Sequence, residues 1–331
     1  MNVSRVKHNN NSYSYYLNGN IINNKILIDK MNSLRIPPAY TNVKINENLD
    51  DDILAIGEDN VGRKQYIYNP EYVEEQSEIK FCELINFGRK IKRIKKDINE
   101  AIHNYNNLDK EKLIYIVLYL IDNCNFRIGS KKYKELYNSY GVTTLNSSHF
   151  EFLKNYVKIE FVGKKGVINK STIKNKNIYN ILNKLCNDFN NQEFLFSYYS
   201  NNENKYISIT DKTVNNFLQI NYHKSLTVKM FRTWNANNIL LKELLDLDIP
   251  YSVKEAENNI NYIIKKIAHK LHHTPNVSKK SYIDNELLDL YKNNFKTFYK
   301  ILNNFIENKY KFPSTDKLLI VLLEYHCNIN K

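Results

Sequence analysis

The apolar period changes near residue 80, and that change sets the architecture the chain can adopt. Before it, apolar and aromatic residues come in short β-prone runs: Tyr13 to Leu17, Val43 to Ile45, Ile53 to Ile56 and Gln65 to Tyr68. Asn18-Gly19, between Leu17 and Ile21, favours a two-residue hairpin turn. A short helix fits Lys25 to Met31, while Pro37-Pro38 and the acidic stretch Glu47 to Asp52 read as connections. After residue 80, Ile85, Ile91, Ile94 and Ile98 recur at near-helical spacing. The expected fold class is therefore α+β: a small β-rich N-terminal domain, 1–80, and a larger mainly α-helical domain, 81–331, with a small antiparallel sheet.

The second part gives more detail. Arg89, Lys90, Lys92, Arg93, Lys95 and Lys96 lie among the first isoleucines, so this helix is amphipathic with a dense basic face, either solvated or turned to a polyanion. Asp109 is placed to cap a helix that is apolar nearly all round from Leu113 to Ile121, which predicts burial. Residues 142–172 read as an antiparallel sheet, because Val157, Ile159 and Phe161 alternate with Lys158 and Glu160. Gly163-Lys164-Lys165-Gly166 follows as a tight turn that projects its charges. Further helices are expected over 176–188, 212–219, 229–245, 252–272, 285–307 and 315–326.

Charge narrows the choice of partner. Lys and Arg number 48 against 35 Asp and Glu, a balance of +13 that attracts nucleic acid first and an anionic membrane second. The longest apolar run, Leu113 to Ile121, is too short to span a bilayer, and the first residues lack the apolar core of a signal peptide, so a soluble protein is expected. The four cysteines, Cys82, Cys124, Cys186 and Cys327, are widely separated with no C-x-x-C spacing. They suggest neither a zinc site nor a disulfide framework, and a reducing intracellular compartment fits.

Five ordered segments carry the functional signal: Gly62-Arg63-Lys64-Gln65-Tyr66-Ile67-Tyr68, Phe126-Arg127-Ile128-Gly129 with Tyr133, Phe161-Val162-Gly163-Lys164, Lys229-Met230-Phe231-Arg232-Thr233, and His273-Thr274-Pro275 through Ser278-Lys279-Lys280-Ser281-Tyr282. In order and spacing the set resembles type IB DNA topoisomerases of the small poxvirus kind. The resemblance implies a catalytic pentad of Arg127, Lys164, Arg232, His273 and Tyr282. It also implies DNA contacts from Arg63, Gln65, Tyr66, Tyr68, Tyr133 and Lys229, with duplex DNA held by a monomer that clamps around it. No metal and no cofactor is implied. The site of action would be intracellular DNA, at a viral replication site or in a virion if the source is viral. Met230 stands where the family usually has aspartate, and Lys280-Ser281-Tyr282 replaces a common Lys-Arg-Ala-Tyr ending, which leaves the preferred DNA sequence open.

The chemistry explains the residue types. A tyrosine that attacks a phosphodiester must lose a proton with a pKa near 10, and clustered cations favour the phenolate. A planar guanidinium donates paired hydrogen bonds to the non-bridging oxygens of the pentacoordinate transition state, a role for Arg127 and Arg232 with His273 as a third donor. The leaving 5′-oxygen is a basic alkoxide that needs a general acid, and Lys164, at a hairpin tip, can reach it.

Each residue also has an ordinary alternative. Tyr282 is one of 26 tyrosines, Arg127 could cap a helix, Lys164 could be a turn lysine, and Arg232 could pair with a core carboxylate. His269, His272 and His273 have metal-like spacing but lack a neighbouring Cys, Asp or Glu. By the period of two, Tyr66 and Tyr68 share one strand face, either reading a DNA groove or packing a core, and Arg63 and Gln65 cannot share it. Lys229 is a phosphate contact or a surface lysine. A tyrosine recombinase is the rival enzyme, although recombinases generally carry His where Lys229 stands; a non-catalytic DNA-binding protein is the rival from another class.

Overall fold

The computed structural model describes residues 1–331 except 10–11, 104–107, 190–192, 310–312 and 330–331, and the side chains of 308–309 and 328–329. The chain forms two compact units, Met1–Lys80 and Phe81–Lys331.

In the first unit, β1 (Val3–Lys7), β2 (Tyr13–Leu17), β3 (Asn20–Ile21), β4 (Thr41–Ile45), β5 (Ile53–Glu58) and β6 (Lys64–Tyr68) build one antiparallel sheet in the order β3-β2-β1-β4-β5-β6. Asn18 (φ 50°) and Gly19 (φ 88°) take the left-handed conformations that a type I′ hairpin turn requires. Asn24 caps α1 (Lys25–Ser33), whose Met31 joins Val3, Tyr15, Ile36, Val43, Ile45 and Ala55 in the core of this unit. Sequence reasoning passed over β1, although it pairs with both β2 and β4.

The second unit is mainly helical. α2 (Pro70–His103) crosses the boundary between the units, and within the second it buries Phe81, Leu84, Ile85, Phe87, Ile91, Ile94, Ile98 and Ile102 along one stripe. Its basic side chains stay outside, where Arg89, Arg93, Lys95 and Lys96 each meet an acidic partner. α3 (Lys110–Cys124) is capped by Asp109, whose side chain accepts from Lys112 N–H, and it buries nine of its residues. α4 (Lys131–Tyr137) precedes a three-stranded antiparallel sheet of β7 (Phe150–Leu153), β8 (Tyr156–Val162) and β9 (Ile168–Ile173), with β8 central. Residues 142–149, expected in this sheet, instead form two 3-10 turns before it.

α5 (Lys176–Asp188), the hairpin of β10 (Ser197–Ser200) and β11 (Lys205–Ser208), and α6 (Asp211–Asn221) lead into α7 (Lys229–Leu245). α7 packs against α8 (Val253–Lys270), α9 (Pro275–Tyr282) and α12 (Thr315–Ile329). The helix expected over 285–307 is two helices, α10 (Asn285–Asn293) and α11 (Phe295–Lys309). Asn294 breaks it by leaving helical geometry, and its side-chain oxygen accepts from Thr297 Oγ1 in the first turn of the next helix.

Two cysteines depart from expectation. Cys82 of α2 and Cys327 of α12 form a disulfide with a Cα–Cα distance of 5.9 Å, across 245 residues of sequence. Spacing rules detect neighbouring pairs, and nothing in the sequence brings these two helices together. Cys124 and Cys186 are free and buried. Among the described residues no helix is long and apolar enough to cross a membrane.

Trp234 of α7 is fully buried, and α2 approaches it through Gly88, where an added Cβ would lie 2.3 Å from the indole ring. Gly→Ala within a helix ordinarily stabilises by about 0.5–1 kcal/mol. Here overpacking dominates, and Gly88→Ala is expected to destabilise the protein by about 1–3 kcal/mol. Chemical denaturation checks the sign, and an unchanged or raised midpoint would show that the helices slide apart freely.

Candidate active site

The site is assembled from the C-terminal side of α3, the first turn of α7, the loop after α8, and the end of α9. Asn125 closes α3 in the left-handed conformation (φ 53°), so the helix cap is Asn125 and Arg127 is released to point elsewhere. The loop that carries Arg127 is held by two glycines in van der Waals contact. A Cβ on Gly141 would sit 2.4 Å from Gly129 N and 2.7 Å from Arg127 O, and Gly129 itself has φ +93°. Val142 N–H donates to Arg127 O at 2.9 Å and Thr143 N–H to Ile128 O at 2.7 Å, which fixes the loop against the turn that follows.

Arg232 is only 3% exposed. Its Nη2 donates to Leu271 O at 2.8 Å and to His273 Nε2 at 2.6 Å, while Nε and Nη1 are buried without a hydrogen-bond partner among the described residues. Arg127 Nη2 donates to the same His273 Nε2, also at 2.6 Å. Two guanidiniums thus converge on one imidazole nitrogen with no carboxylate between them. Among the described residues the contacts of Arg232 are a carbonyl, an imidazole and the Tyr282 ring, and not the core carboxylate considered for it.

This geometry decides protonation. Burial, followed by the charges of Arg232 and Arg127, pulls the His273 pKa down to about 3, so the ring is neutral at pH 7 with its proton on Nδ1. Burial also lowers Arg232, to about 10, with Tyr282 opposing that fall. The Tyr282 ring stands 4.5 Å from the His273 ring, centroid to centroid, and the Arg232 guanidinium carbon lies 5.4 Å from the Tyr282 centroid. Burial would raise the Tyr282 pKa, yet the charges of Arg232, Arg127 and Lys229 outweigh it and the net shift is downward.

α7 holds the pieces in register through two asparagines that sequence reasoning missed. Asn235 Nδ2 donates to Asp122 O at 2.9 Å and to Asn125 Oδ1 at 3.0 Å, tying the end of α3 to α7. The fully buried Asn237 donates to Tyr282 O at 2.9 Å and accepts from Asp284 N–H at 2.9 Å, fixing the backbone on both sides of Ile283. Their spacing from Arg232 puts them on α7, but only the tertiary partners reveal the role. α9 was also missed, despite Thr274 and Pro275 at its cap and first position.

Other expected residues lie around this cluster or apart from it. Lys164 is exposed on the turn between β8 and β9, close enough for its charge to depress His273. Lys229 is exposed at the start of α7, and Tyr133 is 49% exposed on α4. His272 packs its ring on Phe126 at 5.6 Å, and no group of three or more His, Cys, Asp or Glu among the described residues is arranged to hold a metal. In the first unit, Tyr66 and Tyr68 share the exposed face of β6 and stack at 5.9 Å, with Tyr72 continuing the stack at 5.7 Å from Tyr68. An aromatic core face is therefore excluded. Arg63 and Gln65, of the opposite parity, both bond Asp59, whose carboxyl the Arg63 hydrogen bond holds down at about 2.

Comparison with known proteins places the chain. The family described as the catalytic core of eukaryotic DNA topoisomerase I matches residues 69–308, and the N-terminal domain of bacterial DNA topoisomerase IB matches residues 12–59. A DNA topoisomerase 1B of Acanthamoeba polyphaga mimivirus is 33% identical over 326 residues, 96% of this chain and 93% of its own. A DNA topoisomerase 1B of vaccinia virus (strain Copenhagen) is 25% identical over 282 residues, 82% of this chain and 83% of its own. The chain belongs to the type IB DNA topoisomerase family. It is an isomerase of that class, and its substrate is duplex DNA.

The two converging guanidiniums make a test of the charge state possible. The imidazole ¹⁵N signals of His273 are expected to show a neutral ring that does not titrate between pH 5 and 8, because its acidic limb lies near 3. Arg232→Met should move that titration upward toward the ordinary histidine range. A His273 that titrates near 6.5 in the unaltered protein would mean that the two guanidiniums are not held against it.

Proposed function

We propose that Tyr282 attacks a DNA phosphodiester to form a 3′-phosphotyrosyl bond, releases a free 5′-hydroxyl, and is displaced when that hydroxyl returns, so that supercoils relax through a transient single-strand break. The observation that carries this reading is the buried Arg232 guanidinium, with two donors that find no acceptor among the described residues, set beside Arg127 and Tyr282. A phosphate is the group that fits: non-bridging oxygens would take the Arg232 and Arg127 donors, leaving His273 Nε2 free to exchange its acceptor role for a donor role through a change of tautomer.

In this mechanism the lowered Tyr282 pKa favours the phenolate at the moment of attack. The same cations neutralise charge on the phosphorane. Lys164, on the turn between β8 and β9, protonates the leaving 5′-oxygen, and the reverse proton transfer activates it for resealing. The phosphotyrosyl diester retains the bond energy, so neither ATP nor a metal is needed. Tyr66, Tyr68 and Tyr133 offer exposed rings, and Lys229 an exposed cation, to the duplex; Arg63 and Gln65 contribute once released from Asp59 or by holding the β6 turn in shape. Both units engage the same duplex, as a monomeric clamp. Its site of action is intracellular DNA, a viral replication site or a virion.

A recombinase would share the nucleophile and arginines, but Lys229 occupies the position at which recombinases generally carry histidine. A non-catalytic DNA-binding protein would have no use for a desolvated guanidinium beside a tyrosine of lowered pKa.

Supercoiled plasmid should be relaxed in EDTA without ATP, and a requirement for either metal or ATP would contradict the mechanism. A second expectation isolates Lys164. Lys164→Ala should slow cleavage by roughly 10² to 10⁴. A substrate with sulfur at the 5′ bridging position, whose thiolate leaves without a proton, should largely rescue Lys164→Ala and leave Arg232→Ala slow. Equal slowness of both variants on that substrate would make Lys164 a binding or electrostatic residue.

A further inference from the structure

The last helix is tied covalently to α2 and meets the candidate active site through one hydrogen bond and one buried contact. Cys327, near the end of α12, is bonded to Cys82 of α2. The preceding residue, His326, packs its Nδ1 3.9 Å from the carboxylate of Asp284, beyond hydrogen-bond distance, and both side chains are nearly inaccessible, at 9% and 2%. Asp284 lies two residues past Tyr282, and its N–H is bonded to the same Asn237 side chain that holds Tyr282 O. At the start of α12, Asp316 accepts from Trp234 Nε1 at 2.7 Å, two residues past Arg232. One helix therefore braces the segments that carry both the tyrosine and the buried guanidinium. The disulfide sits at the tyrosine end of that brace.

The bond has no internal competitor. Cys82 is half-buried and Cys327 is buried, so a small dithiol is the reductant that suits the bond. Cys124 and Cys186 are buried thiols pushed up to about 12, and neither supplies a thiolate to exchange with the bond.

We propose that Cys82–Cys327 is a redox modification site that controls the cleavage step, resting on the reading of Tyr282 as nucleophile. With the bond formed, α12 holds His326 against Asp284 and keeps Tyr282 aligned. A dithiol reductant opens it: one thiolate attacks a protein sulfur and the S–S bond breaks. The second thiolate then closes the reagent's own disulfide, and two electrons and two protons remain on Cys82 and Cys327 as free thiols. The last turn of α12 then loses its covalent tie, and the Tyr282 segment loses its support from behind.

The test compares the full chain, isolated without reductant, before and after treatment with dithiothreitol. Non-reducing peptide maps should show Cys82 linked to Cys327 in the first state and both thiols free in the second. The rate of covalent adduct formation on supercoiled plasmid, trapped with detergent, should fall on the order of tenfold on reduction, as small misplacement of a reacting group does. Non-covalent affinity for the same DNA, measured on Tyr282→Phe, should not change. Cys327→Ser should cleave at the reduced rate in either state. Equal cleavage rates in the two states, or free thiols at Cys82 and Cys327 after oxidation, overturn the brace alone. A parallel loss of affinity overturns it in favour of general unfolding. An adduct absent from both states overturns the reading of Tyr282 and the brace with it.

Discussion

A guanidinium buried without a carboxylate is a costly thing to fold around, and Arg232 is that group. Removing a charge from water is unfavourable unless hydrogen bonds or an opposite charge compensate. Arg232 meets a carbonyl, a neutral imidazole and the Tyr282 ring, and its Nε and Nη1 have no hydrogen-bond partner among the described residues. Arg127 adds a second positive charge at the same nitrogen of His273. The surroundings tolerate this arrangement because α7, which carries Arg232, also buries Phe231, Trp234, Leu240, Leu241 and Leu244, and that apolar burial offsets the local deficit. Donors held in this way suit the non-bridging oxygens of the phosphate proposed to bind beside them. Stabilisation of this kind grows as negative charge develops, which is the behaviour a transition state selects.

The same constraint explains why so much of the second unit is devoted to register. Guanidinium fork geometry is directional, and misplacement by an ångström would lose the convergence on one point. α7 sets the frame. Asn235 ties it to the end of α3, and hence to the Arg127 loop, while Asn237 ties it to the chain on either side of Tyr282. The Gly129–Gly141 contact removes slack from that loop, and the Gly88–Trp234 contact seats α7 on α2. His273 closes the set: its backbone N–H bonds Ala268 O, and its ring, kept neutral by burial and by the cations it accepts from, lies between them.

Much of this was legible from the sequence, and the reason differs from residue to residue. The helix over 229–245 and the cap at Asp109 follow from local periodicity and capping chemistry, which act over a few residues. The exposed Tyr66 and Tyr68 follow from the period of two once β6 is recognised. Arg127, Arg232, His273 and Tyr282 were identifiable only as an ordered set, since each alone has an ordinary alternative; the structure brings these four together and leaves Lys164 on its turn. Asn235 and Asn237 were invisible because a buried asparagine looks like a surface one until its partners are known. The disulfide between Cys82 and Cys327 was invisible for the same reason on a longer scale, since it depends on α2 meeting α12. α9 and the break at Asn294 are decided by capping, a signal of one or two residues that a longer apolar pattern obscures.

The central claim is that the cation cluster serves Tyr282 and no other nucleophile. It is tested most directly by stopping the reaction on supercoiled plasmid with detergent, digesting protein and DNA, and sequencing the peptide that carries the nucleotide by mass spectrometry. The expected product is a peptide modified at Tyr282 through a 3′-phosphate, with a free 5′-hydroxyl on the other side of the break. A nucleotide on another tyrosine, or a linkage to the 5′ end, would contradict it.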